Sequence, residues 1–234
     1  MGETRILPEP YRYAVCAEAG MPIKEFYKGE FEEVYIFFHP FIKPVTIDYE
    51  LFNPDTYPLR RSVLEHCREV TWNEFMIKSG LSSTSEVDIG LRTIICGLNK
   101  KYENKAYANL ILEACEDHKI VYPAEGLFPD HSVNDLLAAL QQEGYEWIWC
   151  GDEFCTRRKL EYIEDCREDN GTILDRECRN LFTHDHKILI TTHWDSHFSM
   201  ICGEKDTIKR MVEASNLEGF FCDEKTEIHW SLQN

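Results

Sequence analysis

The sequence predicts an α+β fold: a helical middle segment packed on a mainly antiparallel sheet that the second half forms together with one N-terminal strand. Three observations carry this. Apolar residues recur at helical spacing through the middle of the chain, the period changes to alternation after Gly144, and Glu33 to Phe38 (EVYIFF) is an isolated aromatic and β-branched run. The 234 residues are 43% hydrophobic and 12% aromatic, enough apolar surface to bury a core. No repeat, low-complexity tract or Gly/Ser linker divides them, so one domain is expected over 1–234, with 1–32 loosely ordered.

The elements follow in chain order. Glu33 to Phe38 is a strand, ended by His39-Pro40 because proline lacks the donor that a ladder needs, and Pro44, Pro54 and Pro58 keep the next segment irregular. Thr71 and Glu74 have the spacing of a capping box, and Gly80 is placed to end that short helix. A second helix is expected from about Ser85 to Lys101 on Val87, Leu91, Ile94 and Leu98. A third, Ala106 to Glu116, should pack on it as a hairpin. Asp130 is read as the cap of a helix through Leu136, Leu137 and Leu140 that stops near Gly144.

Trp147 and Trp149 then alternate with Ile148 and Cys150, which predicts a strand with the two indoles on one face. Lys187 to Thr192 and Phe198 to Cys202 read as a hairpin with its turn near Asp195-Ser196. Asp206 is expected to cap a helix to about Ala214. Gly219 to Cys222 and Glu227 to Leu232 should form a last hairpin around Asp223 to Thr226.

Charge and cysteine usage bound the function. Lys+Arg 25 against Asp+Glu 42 gives a net charge of −17, which opposes unspecific binding to nucleic acid or an anionic membrane and suits a basic protein partner. No secretory signal or membrane span is legible, so a cytoplasmic location is expected. Ten scattered cysteines in a chain of this size read as buried thiols rather than a disulfide framework.

Two sets of side chains compete as sites. Acidic clusters with an interleaved aromatic, Glu30-Phe31-Glu32-Glu33 and Glu161, Tyr162, Glu164, Asp165 with Glu168 and Asp169 beyond, form a candidate face for a cationic partner. The alternative is a metal-dependent hydrolase built on His184, His186, His193, Asp195 and His197, whose period-two spacing would project imidazoles and a carboxylate from one strand face. Their plainer reading is a polar turn followed by a hairpin tip separated by a strand of about 20 Å. Cys150, Cys155, Cys166 and Cys178 lack the close pairing of a zinc site. Arg157, Arg158 and Lys159 stand where they could depress the Cys155 thiol, with His193 or His197 as a base. No nucleophile elbow, phosphate loop or dinucleotide fingerprint is present, and no cofactor is expected. Oligomeric state is not legible.

Three segments carry a resemblance: Phe37-Phe38-His39-Pro40-Phe41-Ile42-Lys43-Pro44, Tyr122-Pro123-Ala124-Glu125-Gly126, and Cys222-Asp223-Glu224-Lys225-Thr226-Glu227-Ile228-His229-Trp230. Together they resemble an uncharacterised bacterial family, the domain of unknown function numbered 2711. The resemblance implies a bacterial cytoplasmic protein and supplies no residue role. The expected strand, helix, hairpin ending is similar in architecture to small acidic immunity proteins that neutralise toxins, an analogy of fold that leads the functional expectation toward a non-enzymatic binding module of immunity or regulatory type.

Overall fold

The computed structural model describes residues 11–167 and 178–233. The irregular N-terminal segment contains one short helix, α1 (Ile23–Phe26), and leads into β1 (Glu33–Phe38) and β2 (Phe41–Pro44). Five helices and a strand follow: α2 (Arg60–His66), β3 (Cys67–Val70), α3 (Trp72–Ser79), α4 (Thr84–Ile94), α5 (Lys105–His118) and α6 (Asp130–Gln142). The second half runs β4 (Trp147–Gly151), β5 (Arg158–Tyr162), α7 (Ile163–Arg167), β6 (Asn180–Phe182), β7 (Leu189–Thr192), β8 (Phe198–Gly203), α8 (Lys205–Ala214) and β9 (Gly219–Phe221).

Seven strands form one sheet in the order β5-β4-β6-β7-β8-β1-β9, and every neighbouring pair is antiparallel. β2 and β3 pair separately. The α+β class is therefore as the sequence predicts, with β1 inserted between the two C-terminal strands β8 and β9. Alternation sends Val34, Ile36, Phe38, Phe198, Met200 and Cys202 to one face, where α3, α4 and α5 bring Trp72, Phe75, Val87, Leu91 and Ile111. Tyr35, Phe37, Ile190 and Ile201 line the other face beneath α6, α7 and α8, with Leu136, Leu140, Ile163 and Ile208. The middle helices are thus divided between the two faces. All six residues of β8 are buried in consequence.

Several boundaries differ from the sequence reading, each for a local reason. α4 stops at Ile94 rather than near Lys101, because Cys96 takes a left-handed turn (φ 60) and the Gly97 N–H bonds back to the Arg92 carbonyl at 2.8 Å. α5 begins earlier because Asn104 caps it, accepting from the N–H groups of Ala106 and Tyr107. Asp130 and Asp206 lie in the first turns of α6 and α8 rather than at the cap positions, which Pro129 and Glu204 occupy. Thr71 caps α3 by accepting from Glu74 N–H at 3.1 Å, whereas the Glu74 carboxylate turns to Arg68 instead of closing the box.

The expected final hairpin does not form. β9 pairs with β1, and Trp230–Leu232 is a 3-10 turn whose indole packs on Phe38 and Phe220 at ring separations of 5.6 and 5.1 Å. Gly219 permits that pairing, since a Cβ there would sit 1.9 Å from the Ile36 carbonyl oxygen. The architectural analogy to immunity proteins loses its basis with the hairpin. Residues 11–32 have little regular structure but are not loose: Ala14, Ala17, Ile23 and Tyr27 are buried in the core. For residues 1–10 the expectation of loose order lies outside the described residues.

Candidate functional site

Because β1, β7 and β8 are antiparallel neighbours, the end of β1, the end of β7 and the start of β8 meet at one end of the sheet. The His39 N–H bonds to the His197 carbonyl at 2.9 Å, and the Gly126 N–H bonds to the Ser196 carbonyl at 2.9 Å. The loop His193 to His197 is thereby joined to His39 and to the Tyr122–Gly126 loop.

Arg92 of α4 locks this junction. Its side chain is wholly buried, with Nε 3.2 and 3.1 Å from the Asp88 carboxylate oxygens. Its two terminal nitrogens donate to the carbonyls of Asp195 (2.8 Å) and Ile228 (3.0 Å). Ser231 Oγ donates to Asp88 Oδ2 at 2.6 Å. Both charges are compensated inside the core, the condition under which a buried ion pair survives its desolvation. One guanidinium therefore ties α4, the β7–β8 turn and the C-terminal segment together.

Three buried imidazoles lie at this junction, of which His193 and His197 feel the Arg92 charge. His39 Nε2 pairs with Ser199 Oγ at 2.7 Å, and burial, partly offset by the Ala124 main chain, lowers its pKa to about 3. Burial and the nearby Arg92 charge lower His193 to about 4, and its Nδ1 accepts from Asp195 N–H at 3.2 Å. His197 is pushed well down by burial, His39 and Arg92, and among the described residues neither of its ring nitrogens has a hydrogen-bond partner. All three are neutral near pH 7.

The surface above this sealed cluster is an acidic, aromatic rim. Trp194 is 59% exposed and Tyr122 40%, and Glu125 is also exposed. Burial and then the Asp195 carboxylate raise the Glu125 pKa. The rim is rigid by construction. Gly126 has φ 58 and would place a Cβ 2.4 Å from the Trp194 carbonyl oxygen, while a Cβ on Gly97 would lie 2.5 Å from Asp195 Oδ1.

The histidines named from sequence divide between two places. His193, Asp195 and His197 belong to this end; His184, Asp185 and His186 form the turn at the far end of β7. There Asp185 accepts from Thr183 Oγ1 (2.7 Å), the Lys187 N–H (3.2 Å) and the Tyr145 hydroxyl, and His186 stacks on Phe182 with Tyr11 tilted against it. Among the described residues no three His, Cys, Asp or Glu side chains form a group that could hold a metal ion. The five-residue hydrolase cluster is not assembled.

The thiol reading needs a similar correction. All ten cysteines are free, and burial raises the Cys155 pKa to about 11 against the opposing effect of Arg158, so this thiol is not activated.

The two acidic clusters also separate. Glu30 accepts from the Tyr11 hydroxyl, Glu32 from the Lys205 N–H (3.1 Å), and Glu33 pairs with Lys24 and Lys205. Phe31 packs edge-on against Tyr27, so most of this cluster is engaged within the chain. Glu161 and Tyr162 lie on β5 and Glu164 and Asp165 on α7, with Glu164 held by Gln141 and Arg167; Glu168 and Asp169 lie outside the described residues.

Sequence reasoning missed Arg92, His39, Tyr122 and Glu125. A signal existed: Asp88 and Arg92 form an i,i+4 pair interrupting the apolar face marked by Val87 and Leu91. The three segments that carry the resemblance also each contribute here, through His39, Glu125–Gly126 and Ile228–His229.

Among the described residues no helix is long and apolar enough to cross a membrane. Neither the curated proteins nor the solved structures contain a match to this chain. A family model does match it over residues 19–232, nearly its whole length. The chain belongs to that family, described as Protein of unknown function (DUF2711).

Proposed function

We propose that the chain is a non-enzymatic protein-binding module that captures a cationic segment of a partner at the rim formed by Tyr122, Glu125, Trp194 and Asp195. One observation carries the reading: an exposed tryptophan is held on a rigid loop beside two carboxylates that repel each other. An arginine or lysine entering there gains an aromatic face and relieves the repulsion, with no loop left to order. The net charge of −17 steers such a partner from a distance, and the rim holds it locally. The groups with acid–base or nucleophilic chemistry, His39, His197 and Ser199, are buried beneath the rim, which favours binding over catalysis.

The test is an NMR titration of the protein with an arginine-rich peptide at low and physiological salt. Shifts should concentrate on the four rim residues, weaken as salt rises, and vanish in Trp194→Ala and in Glu125→Gln. Equal shifts over Glu30 to Glu33 and Glu161 to Asp165, or no binding at low salt, would leave only unspecific charge and end the proposal.

A further inference from the structure

The turn after α4 stands beside the rim. Gly97 donates its N–H to the Arg92 carbonyl at 2.8 Å, the same arginine donates to the Asp195 carbonyl, and a Cβ on Gly97 would lie 2.5 Å from Asp195 Oδ1. Beyond Gly97 the buried Leu98 anchors the chain. The Tyr102 N–H then bonds to the Asn99 carbonyl at 2.8 Å, which makes Asn99 to Tyr102 a β-turn with Lys100 and Lys101 at its two central positions. Asn99 Oδ1 accepts from the Lys101 N–H at 3.2 Å, and Thr93 Oγ1 accepts from the Asn104 N–H at 3.0 Å, so the turn is held at both ends. Both lysines are exposed.

Neither lysine makes an ion pair or side-chain hydrogen bond among the described residues, although acidic residues outnumber basic ones 42 to 25. Lys101 lies 4.4 Å from the ring centre of the exposed Tyr102. Burial and Asp195 act on the Glu125 carboxyl, and no lysine does. The rim carboxylates and the ammonium groups of the turn are therefore neighbours that do not neutralise one another. Three residues of backbone from Gly97 to Lys100 span at most about 11 Å, and the lysine stem adds about 6 Å. A segment of about five extended residues reaches from one set of charges to the other.

We propose that the partner segment captured at the rim carries an acidic residue about three to five positions from its cation, and that Lys100 and Lys101 bind that carboxylate. The inference rests on the function proposed above and adds a second contact to it. The basic side chain of the segment meets Trp194, Glu125 and Asp195, and its extended backbone carries the acid to the turn. An exposed ion pair contributes little affinity by itself, so the lysines act mainly on selection. They fix the spacing and direction of the segment and favour mixed-charge segments over uniformly basic ones.

The test is calorimetric titration of the full chain with two arginine-rich peptides that differ only in having Glu or Gln four residues from the nearest arginine. Each is made with that residue before and after the arginines. The Glu peptide should bind the wild type about fivefold tighter than the Gln peptide in one of the two orders. An added glutamate weakens unspecific attraction to a chain of charge −17, so this gain has the opposite sign to general electrostatics. The double variant Lys100→Gln/Lys101→Gln should lose the gain and still bind the Gln peptide. Lys159→Gln/Lys209→Gln, which makes the same change of net charge on β5 and α8, should keep it. A Glu peptide that binds no better in either order, or a gain that survives in Lys100→Gln/Lys101→Gln, would overturn the proposal and leave the rim intact. Binding of neither peptide would end the rim reading and this proposal with it.

Discussion

The two ends of β7 carry similar residues in opposite settings. At one end His184, Asp185 and His186 make a turn whose carboxylate is satisfied locally, by Thr183, Lys187 and Tyr145. At the other, His193 to His197 is tied to α4 and the C-terminal segment by one buried guanidinium. Residue type alone does not distinguish these turns. What separates them is a partner about a hundred positions earlier, Arg92, and the sheet position that puts β1 beside β8. The first turn is a local structure; the second is a product of the whole fold.

The sharpest way to break this contrast is to remove the lock. Arg92→Ala leaves Asp88 buried without its partner and should cost about 3–5 kcal/mol in urea unfolding. Asp185→Ala removes hydrogen bonds at a partly exposed turn and should cost about 1 kcal/mol. Equal losses would mean that the two ends are not differently built.

Acid should act through the same end. The folded pKa values of His39 and His193, about 3 and about 4, lie below the ordinary unfolded value near 6.5. Their contribution is complete above pH 6.5 and is lost as pH falls toward those folded values. Between pH 6.5 and 5 each should remove about 2 kcal/mol of stability. The check is urea unfolding at the two pH values, and His193→Gln should reduce the loss by about the 2 kcal/mol that His193 contributes, leaving the part due to His39 and His197.

Two glycines sharpen the comparison further. Gly126 and Gly144 both have positive φ, but a side chain on Gly126 meets the Trp194 carbonyl and one on Gly144 meets open space. Gly126→Ala should therefore cost about 2–3 kcal/mol and Gly144→Ala about 1. A thermal melt of each ranks them. The smallest expected effect is on the rim itself, where Trp194→Ala should change stability by no more than about 0.5 kcal/mol while removing peptide binding. A large loss of stability would make Trp194 a packing residue.

The sequence makes the fold legible where the signal is local. The strand β1, the Thr71 and Gly80 termini of α3 and the turn of the β7–β8 hairpin all follow from residues within a few positions. The misses are long-range. α4 ends early at the left-handed Cys96, and Gly97 after it lies where a side chain would meet Asp195, a proximity that spacing cannot show. Ile228 and Trp230 alternate as a strand would, yet they plug the core against Phe38 and Phe220, while β9 spends its pairing on β1. The site divides in the same way. His193, Asp195 and His197 are recognisable as a group from their spacing, but their chemistry is set by burial under α4 and by Arg92, neither of which the spacing contains.

The central claim is that the end of the sheet bearing His193 to His197 is sealed and holds its imidazoles neutral beneath a rigid rim. An NMR pH titration of the nine histidine rings tests it most directly. His39, His193 and His197 should show no protonation as pH falls from about 7.5 to 5.5 while the protein remains folded. A midpoint near 6.5 for any of these three would contradict the account, because water would then reach the rings that it places inside the core.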